Sequence, residues 1–213
     1  MRPIRAVIFD FHATLVDQGD AAEWLDLAID TLGAADGIDR EAVSRRLDAL
    51  WIHAREIDPD SERDLSAERH RETFIGVMSG HVPDDLLVVL YDVMLELWVA
   101  YEEAAHVLSE LRGRGIRTAI LSNVGFDIRP LLTREGLEPD VMVLSYEVGV
   151  VKPNPGIFAA AIEALGVPPE DVLMVGDSWM DDAAAAALGI RTLILPRTRG
   201  RHHGLDIVLR LTD

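Results

Sequence analysis

A chain of 213 residues with 49% hydrophobic and 27% charged side chains can bury one substantial core and has the composition of a soluble globular protein. Its formal net charge of −17 excludes the clustered cationic surface on which nucleic acids bind. The absence of cysteine excludes disulfides and thiolate chemistry. No apolar run reaches membrane-spanning length, and the apolar stretch after Pro3, interrupted by Arg5, is too short for an export signal. A cytoplasmic location is expected, with neither nucleic acid nor membrane as partner.

The first predicted element is a buried strand, Ala6 to Phe9, which delivers Asp10 to its carboxyl end. The segment from Asp17 to Trp98 contains no convincing strand. It reads as helices over Ala21 to Leu32, Arg40 to Ile57, Ala67 to Met78 and Asp84 to Val99, with Pro59, Gly80 and Pro83 as punctuation. After Glu102 the pattern alternates. Helices are predicted over Ala104 to Arg112, Ile128 to Glu135, Pro155 to Leu165 and Asp181 to Leu188, and strands over Thr118 to Leu121, Val141 to Leu144, Val172 to Val175 and Thr192 to Leu195. Gly115, Gly136, Gly166 and Gly189 follow the helical stretches as stops. Such alternation predicts an α/β fold, a Rossmann-like parallel sheet core flanked by helices, with the helical stretch inserted after its first strand.

In an open parallel sheet, residues just past the strands converge on one crevice. Asp10, Ser122 and Asp177 occupy such positions, and Lys152 and Asp181 lie within reach of them. Asp177 and Asp181, four residues apart at a strand end, would repel each other unless a cation or a hydrogen-bond network compensates. The basic cluster Arg197, Arg199, Arg201, His202 and His203 reads as a solvated loop.

Four segments carry a resemblance. Val7 to Leu15 around Asp10, Leu121-Ser122-Asn123, Val151-Lys152-Pro153, and Val175 to Asp181 together resemble the haloacid dehalogenase (HAD)-like hydrolase superfamily. Ser145 to Gly149 and Lys152 to Pro155 look like its helical-cap branch. The resemblance implies a core of residues 1–16 and 99–213 and a helical cap of residues 17–98. It also implies a Mg²⁺-dependent phosphatase of a small phosphorylated substrate, forming an aspartyl-phosphate on Asp10.

The residue roles follow from the same resemblance. Mg²⁺ would be held by Asp10, the backbone carbonyl of His12, Asp177 and Asp181, hard oxygen donors suited to that ion. Ser122 and the amide of Asn123 would hold the phosphoryl oxygens, Lys152 would supply positive charge, and Thr14 would brace the loop after Asp10. His12 stands where most phosphatases of the family carry a second Asp, and it is assigned the acid/base duty. Ala13 replaces the glycine usual in this loop. Arg45, Arg46, His53, Arg55, Arg69, His70 and Arg71 are candidate substrate contacts from the cap. Two alternatives stand beside the phosphatase: a metal-independent 2-haloacid dehalogenase-type hydrolase, and a phosphometabolite-binding protein in which His12 has cost turnover.

Overall fold

The computed structural model describes residues 2–33, 37–198 and 200–213. Its first strand, β1 (Ala6–Phe9), is buried on both faces, as expected of four consecutive apolar residues in a parallel sheet covered on both sides. A two-residue strand, β2 (Val16–Asp17), then leads into a run of helices: α1 (Ala21–Leu32), α2 (Arg40–Asp48), α3 (Leu50–Ile57), α4 (Ala67–Met78) and α5 (Asp84–Val93). The chain returns through β3 (Val99–Ala100), which pairs antiparallel with β2. The alternating half follows as α6 (Ala104–Gly113), β4 (Arg117–Ser122), α7 (Arg129–Glu135), β5 (Val141–Leu144), α8 (Ser145–Val148), α9 (Pro155–Leu165), β6 (Val172–Gly176), β7 (Arg191–Ile194) and α10 (Asp206–Leu211).

The parallel sheet has the order β5-β4-β1-β6-β7, so the first strand sits at its centre. One hydrophobic cluster covers the sheet face carrying Ile8, Ala119 and Met174, against Ile157, Phe158 and Ala161 of α9. The larger cluster begins at Val7 and Phe9 on the other face and runs without a break through Trp98 into Leu25, Phe74 and Leu90 of the inserted helices. Asp20 caps α1 by accepting from the amides of Ala22 and Glu23, and Trp24 Nε1 donates to Leu90 O at 2.8 Å, tying α1 to α5. None of the described helices is long and apolar enough to cross a membrane.

Three predicted elements differ in detail. The single helix expected over Arg40 to Ile57 is two, because the chain turns at Ala49 (φ −95°, ψ 6°), which keeps Leu47 and Leu50 both buried. The helix expected to run to Val99 stops at Val93 and passes through one 3-10 turn, leaving Val99 and Ala100 to form β3. The stretch Asp181 to Leu188 is a turn followed by 3-10 helix from Ala183 onward.

Candidate active site

The carboxyl ends of β1, β4 and β6 lie side by side, and they open into a cavity of about 480 Å³. Asp10, immediately past β1, has its amide bonded to Val175 O at 2.8 Å, so the central strand pair fixes its backbone. Lys152 enters from the loop before α9, only 4% exposed, and its Nζ donates to Asp10 Oδ1 at 2.5 Å and Asp182 Oδ1 at 2.7 Å. Thr14 Oγ1 reaches Asp10 Oδ2 at 3.3 Å from behind the loop, a bracing position. Asn123 clasps the Lys152 backbone from both sides: its Oδ1 accepts from Lys152 N at 2.7 Å and its Nδ2 donates to Lys152 O at 3.0 Å.

Asp10, Asp177 and Asp182 each offer a carboxylate oxygen, and these oxygens lie within 4.8 Å of one another. Burial raises the pKa of Asp10 against the opposing pull of Lys152, with Asp177 adding to the rise. Burial likewise raises Asp177 against Arg197, and Asp182 against Lys152. Burial disfavours the charge on Lys152, yet the carboxylates of Asp10 and Asp182 outweigh it and hold the ammonium above its usual range. Asp10 and Asp182, which share the buried Lys152, and the partly buried Asp177, which pairs with Arg197, form a hard-oxygen donor set that suits a small divalent cation.

The acid that completes this set is Asp182, whereas Asp181 was expected to. Asp181 turns outward, its Oδ2 accepting from Arg55 of α3 at 2.6 Å and from Ser178 Oγ at 2.9 Å. The physical reason is the turn after β6: Asp182 N bonds Ser178 O at 2.8 Å and its Oδ2 accepts from Ser178 N at 2.9 Å, which folds Asp182 back over Gly176. A Cβ on Gly176 would collide with that carboxylate. Asp182 was missed, and the glycine before Asp177 was the signal that could have found it.

His12 lines the cavity with its ring 4.3 Å from that of Trp98, and its Nε2 is enclosed without a hydrogen-bond partner. Burial, reinforced by Arg197 and His70, lowers its pKa to about 3. Ala13 holds the left-handed conformation (φ 57°) that a glycine would take more readily. Ser122 and Asn123 both face the cavity.

The loop near the C-terminus departs from the expected solvated cluster. Arg197 pairs with Asp177, and His203 is buried with its ring stacked 4.6 Å from that of Tyr101. Arg201 and His202 do pair at the surface with Glu102, and Arg199 lies outside the described residues. Of the candidate contacts on the inserted helices, Arg55 and His70 line the cavity. Arg45, Arg69 and Arg71 pair with Glu41, Glu62 and Asp92, Arg46 donates to Val77 O, and His53 meets Glu56.

A buried carboxylate at the end of the central strand, held by a lysine and beside further acids, marks a class of α/β hydrolases. The haloacid dehalogenase-like hydrolase family model matches residues 4–189, and the chain belongs to that family. It is 40% identical to the phosphoserine phosphatase of Thermus thermophilus over 101 residues, 46% of this chain and 41% of that one, so the match spans less than half of the phosphatase. It is 29% identical to (S)-2-haloacid dehalogenase 1 of a Pseudomonas species over 203 residues, covering 92% of this chain and 86% of the dehalogenase. A solved L-2-haloacid dehalogenase shares the fold with a TM-score of 0.72 at 20% identity, over 94% of this chain and 88% of that one.

Proposed function

We propose that this hydrolase is a Mg²⁺-dependent phosphatase acting on a small phosphomonoester through an aspartyl-phosphate on Asp10. The observation that carries the proposal is the set of three carboxylates, Asp10, Asp177 and Asp182, whose oxygens converge within 4.8 Å of one another, with Lys152 bonded to two of them. Asp10 attacks phosphorus as the bond to the leaving oxygen breaks, and Lys152 keeps the attacking carboxylate oriented and offsets its charge. Ser122 and the amide of Asn123 receive the phosphoryl oxygens. A bound Mg²⁺, held by Asp10, Asp177, Asp182 and the backbone carbonyl of His12, would neutralise charge on the phosphoryl group.

His12 is the acid/base residue in this scheme, and the acceptor role fits it best. Burial keeps its imidazole neutral, the form that can take a proton from a water attacking the aspartyl-phosphate. Residues 17–98 act as a cap over a core of residues 1–16 and 99–213, and the β2–β3 pair is the stem between them. Closure excludes water other than the attacking one.

The dehalogenase reading is favoured by the long match to the Pseudomonas enzyme. Against it, displacement of halide from carbon calls for no cation, whereas Asp10, Asp177 and Asp182 bring three carboxylate oxygens within 4.8 Å of one another, an arrangement that a divalent cation would relieve. The deciding measurement is phosphate release from an aryl phosphate with and without Mg²⁺, in the native chain and in Asp10→Asn. We expect release only with Mg²⁺ and a fall of at least about 10³ in the variant. Chelator-resistant phosphate release, or metal-free halide release from 2-chloropropionate, would overturn the proposal.

A further inference from the structure

The cavity in front of Asp10 has a composition of its own beyond the reacting groups. Trp98 and His12 are in ring contact on one side, and Trp51 and His70, with centroids 5.0 Å apart, form another wall. Trp179 (74% exposed) and Met180, both following β6, and Ile52 (68% exposed) of α3 also line it and stay open to solvent. Large apolar side chains left this open at the rim of a cavity mark a surface that a ligand covers.

The charges tell the complementary half. Among the described residues four cations line the cavity, Lys152, Arg55, Arg63 and Arg197, together with five carboxylates. Each of the four is already paired: Lys152 with Asp10 and Asp182, Arg55 with Asp181, Arg63 with Asp58 and Asp64, and Arg197 with Asp177. A phosphate group enters this acid-rich lining through the donors at the floor. A second anionic group on the same molecule would find each of these four cations taken, and breaking Arg55 from Asp181 or Arg63 from its two acids would expose carboxylates to it.

We infer that the group esterified to the phosphate is uncharged and aromatic or similarly flat and apolar, and that the cavity discriminates against phosphate esters bearing a carboxylate. This inference rests on the phosphatase reading but concerns a different part of the site, the walls and not the floor. It separates the chain from enzymes whose substrates carry a carboxylate beside the reacting group.

The test compares binding of two non-hydrolysable probes, benzylphosphonate and 3-phosphonopropionate, to the full chain by calorimetry in the presence of Mg²⁺. Benzylphosphonate should bind about tenfold or more tightly than 3-phosphonopropionate. Trp51→Ala should weaken benzylphosphonate by a similar factor while leaving methylphosphonate unaffected. Asp181→Asn, which frees Arg55, should improve 3-phosphonopropionate selectively. Equal or tighter binding of 3-phosphonopropionate to the native chain overturns the inference even if the two variants fail to fold, and so does loss of all phosphonate binding. Because the readout is binding, the two ideas fail separately. Aromatic selectivity with no phosphate release from any ester would refute the phosphatase reading alone, and brisk release from phosphoglycolate in preference to phenyl phosphate would refute the inference alone.

Discussion

Gly176 and Asp182 show how one missing methyl group sets the chemistry of this site. The Asp182 carboxylate lies where a Cβ on Gly176 would be, and from there it reaches Lys152 Nζ at 2.7 Å. Gly176→Ala should therefore push Asp182 out and leave Lys152 with Asp10 alone. We expect turnover to fall by about 10² or more, and Asp182→Asn to do the same, because a buried ionic network broken on one side loses its orientation. An alanine variant with native turnover would show that Asp182 is dispensable. His12 offers a second test at this scale. His12→Ala should make the aspartyl-phosphate formed from an aryl phosphate accumulate, since its breakdown needs an activated water, and should slow breakdown by about 10² to 10⁴. Rapid-quench trapping of the phosphoenzyme reads this directly, and unchanged breakdown would make the imidazole structural. Sequence spacing reached most of these residues because Asp10, Ser122 and Asp177 each follow an apolar strand, a position that a parallel sheet turns into a crevice. It failed between the neighbours Asp181 and Asp182, since which of two adjacent acids points inward is decided by the Ser178 turn, a detail that periodicity does not encode.

At the scale of elements, the strands of the sheet were legible because buried parallel strands are unbroken apolar runs, and α9 because Asn154 and Pro155 start it while Gly166 stops it. The β2–β3 pair was not legible, as two residues per strand leave no pattern to read. The roof formed by the inserted helices depends on His70 of α4, which is buried between Trp51 of α3 and Tyr91 of α5, with Nδ1 3.0 Å from the Tyr91 hydroxyl. Burial, and then Arg63, lowers its pKa from 6.5 to about 4. With the folded pKa below the unfolded one, the unfolded chain takes up this proton first as the pH falls. The contribution is whole above pH 6.5 and is lost between about 6.5 and 4, on the order of 3 kcal/mol in all. Asp64 runs the other way: burial raises its pKa to about 6, so its cost sets in as the pH rises through that range. The two slopes partly cancel in the native chain, and the difference between native protein and His70→Gln isolates the first. That difference in unfolding free energy should shrink steadily from pH 7 to pH 4. A constant difference would mean that His70 does not remain neutral in the fold.

Over the whole molecule the excess of acid is the dominant electrostatic fact. A formal charge of −17 on 213 residues opposes compaction, and three of the acids are gathered at the carboxyl end of the sheet with oxygens within 4.8 Å of one another. General screening and specific cation binding would both raise the melting temperature, and they separate by concentration and by residue. Sodium chloride acts through ionic strength, so its effect should be gradual and nearly the same in Asp177→Asn, which loses one charge of many. Mg²⁺ binding to the folded chain stabilises it by an amount that grows with the logarithm of saturation, about 2.7 kcal/mol at a hundredfold excess over the dissociation constant. For a chain of this size such a gain corresponds to roughly 5–10 °C when scaled by an unfolding entropy of about 2.1 cal/mol/K per residue. We therefore expect millimolar MgCl₂ to raise the melting temperature clearly beyond NaCl of equal ionic strength, and the excess to vanish in Asp177→Asn while the salt response persists. If magnesium and sodium salts of equal ionic strength give the same melting temperature in the native chain, the acid cluster is held by Lys152 and Arg197 alone, and the metal-dependent reading of the site falls with it.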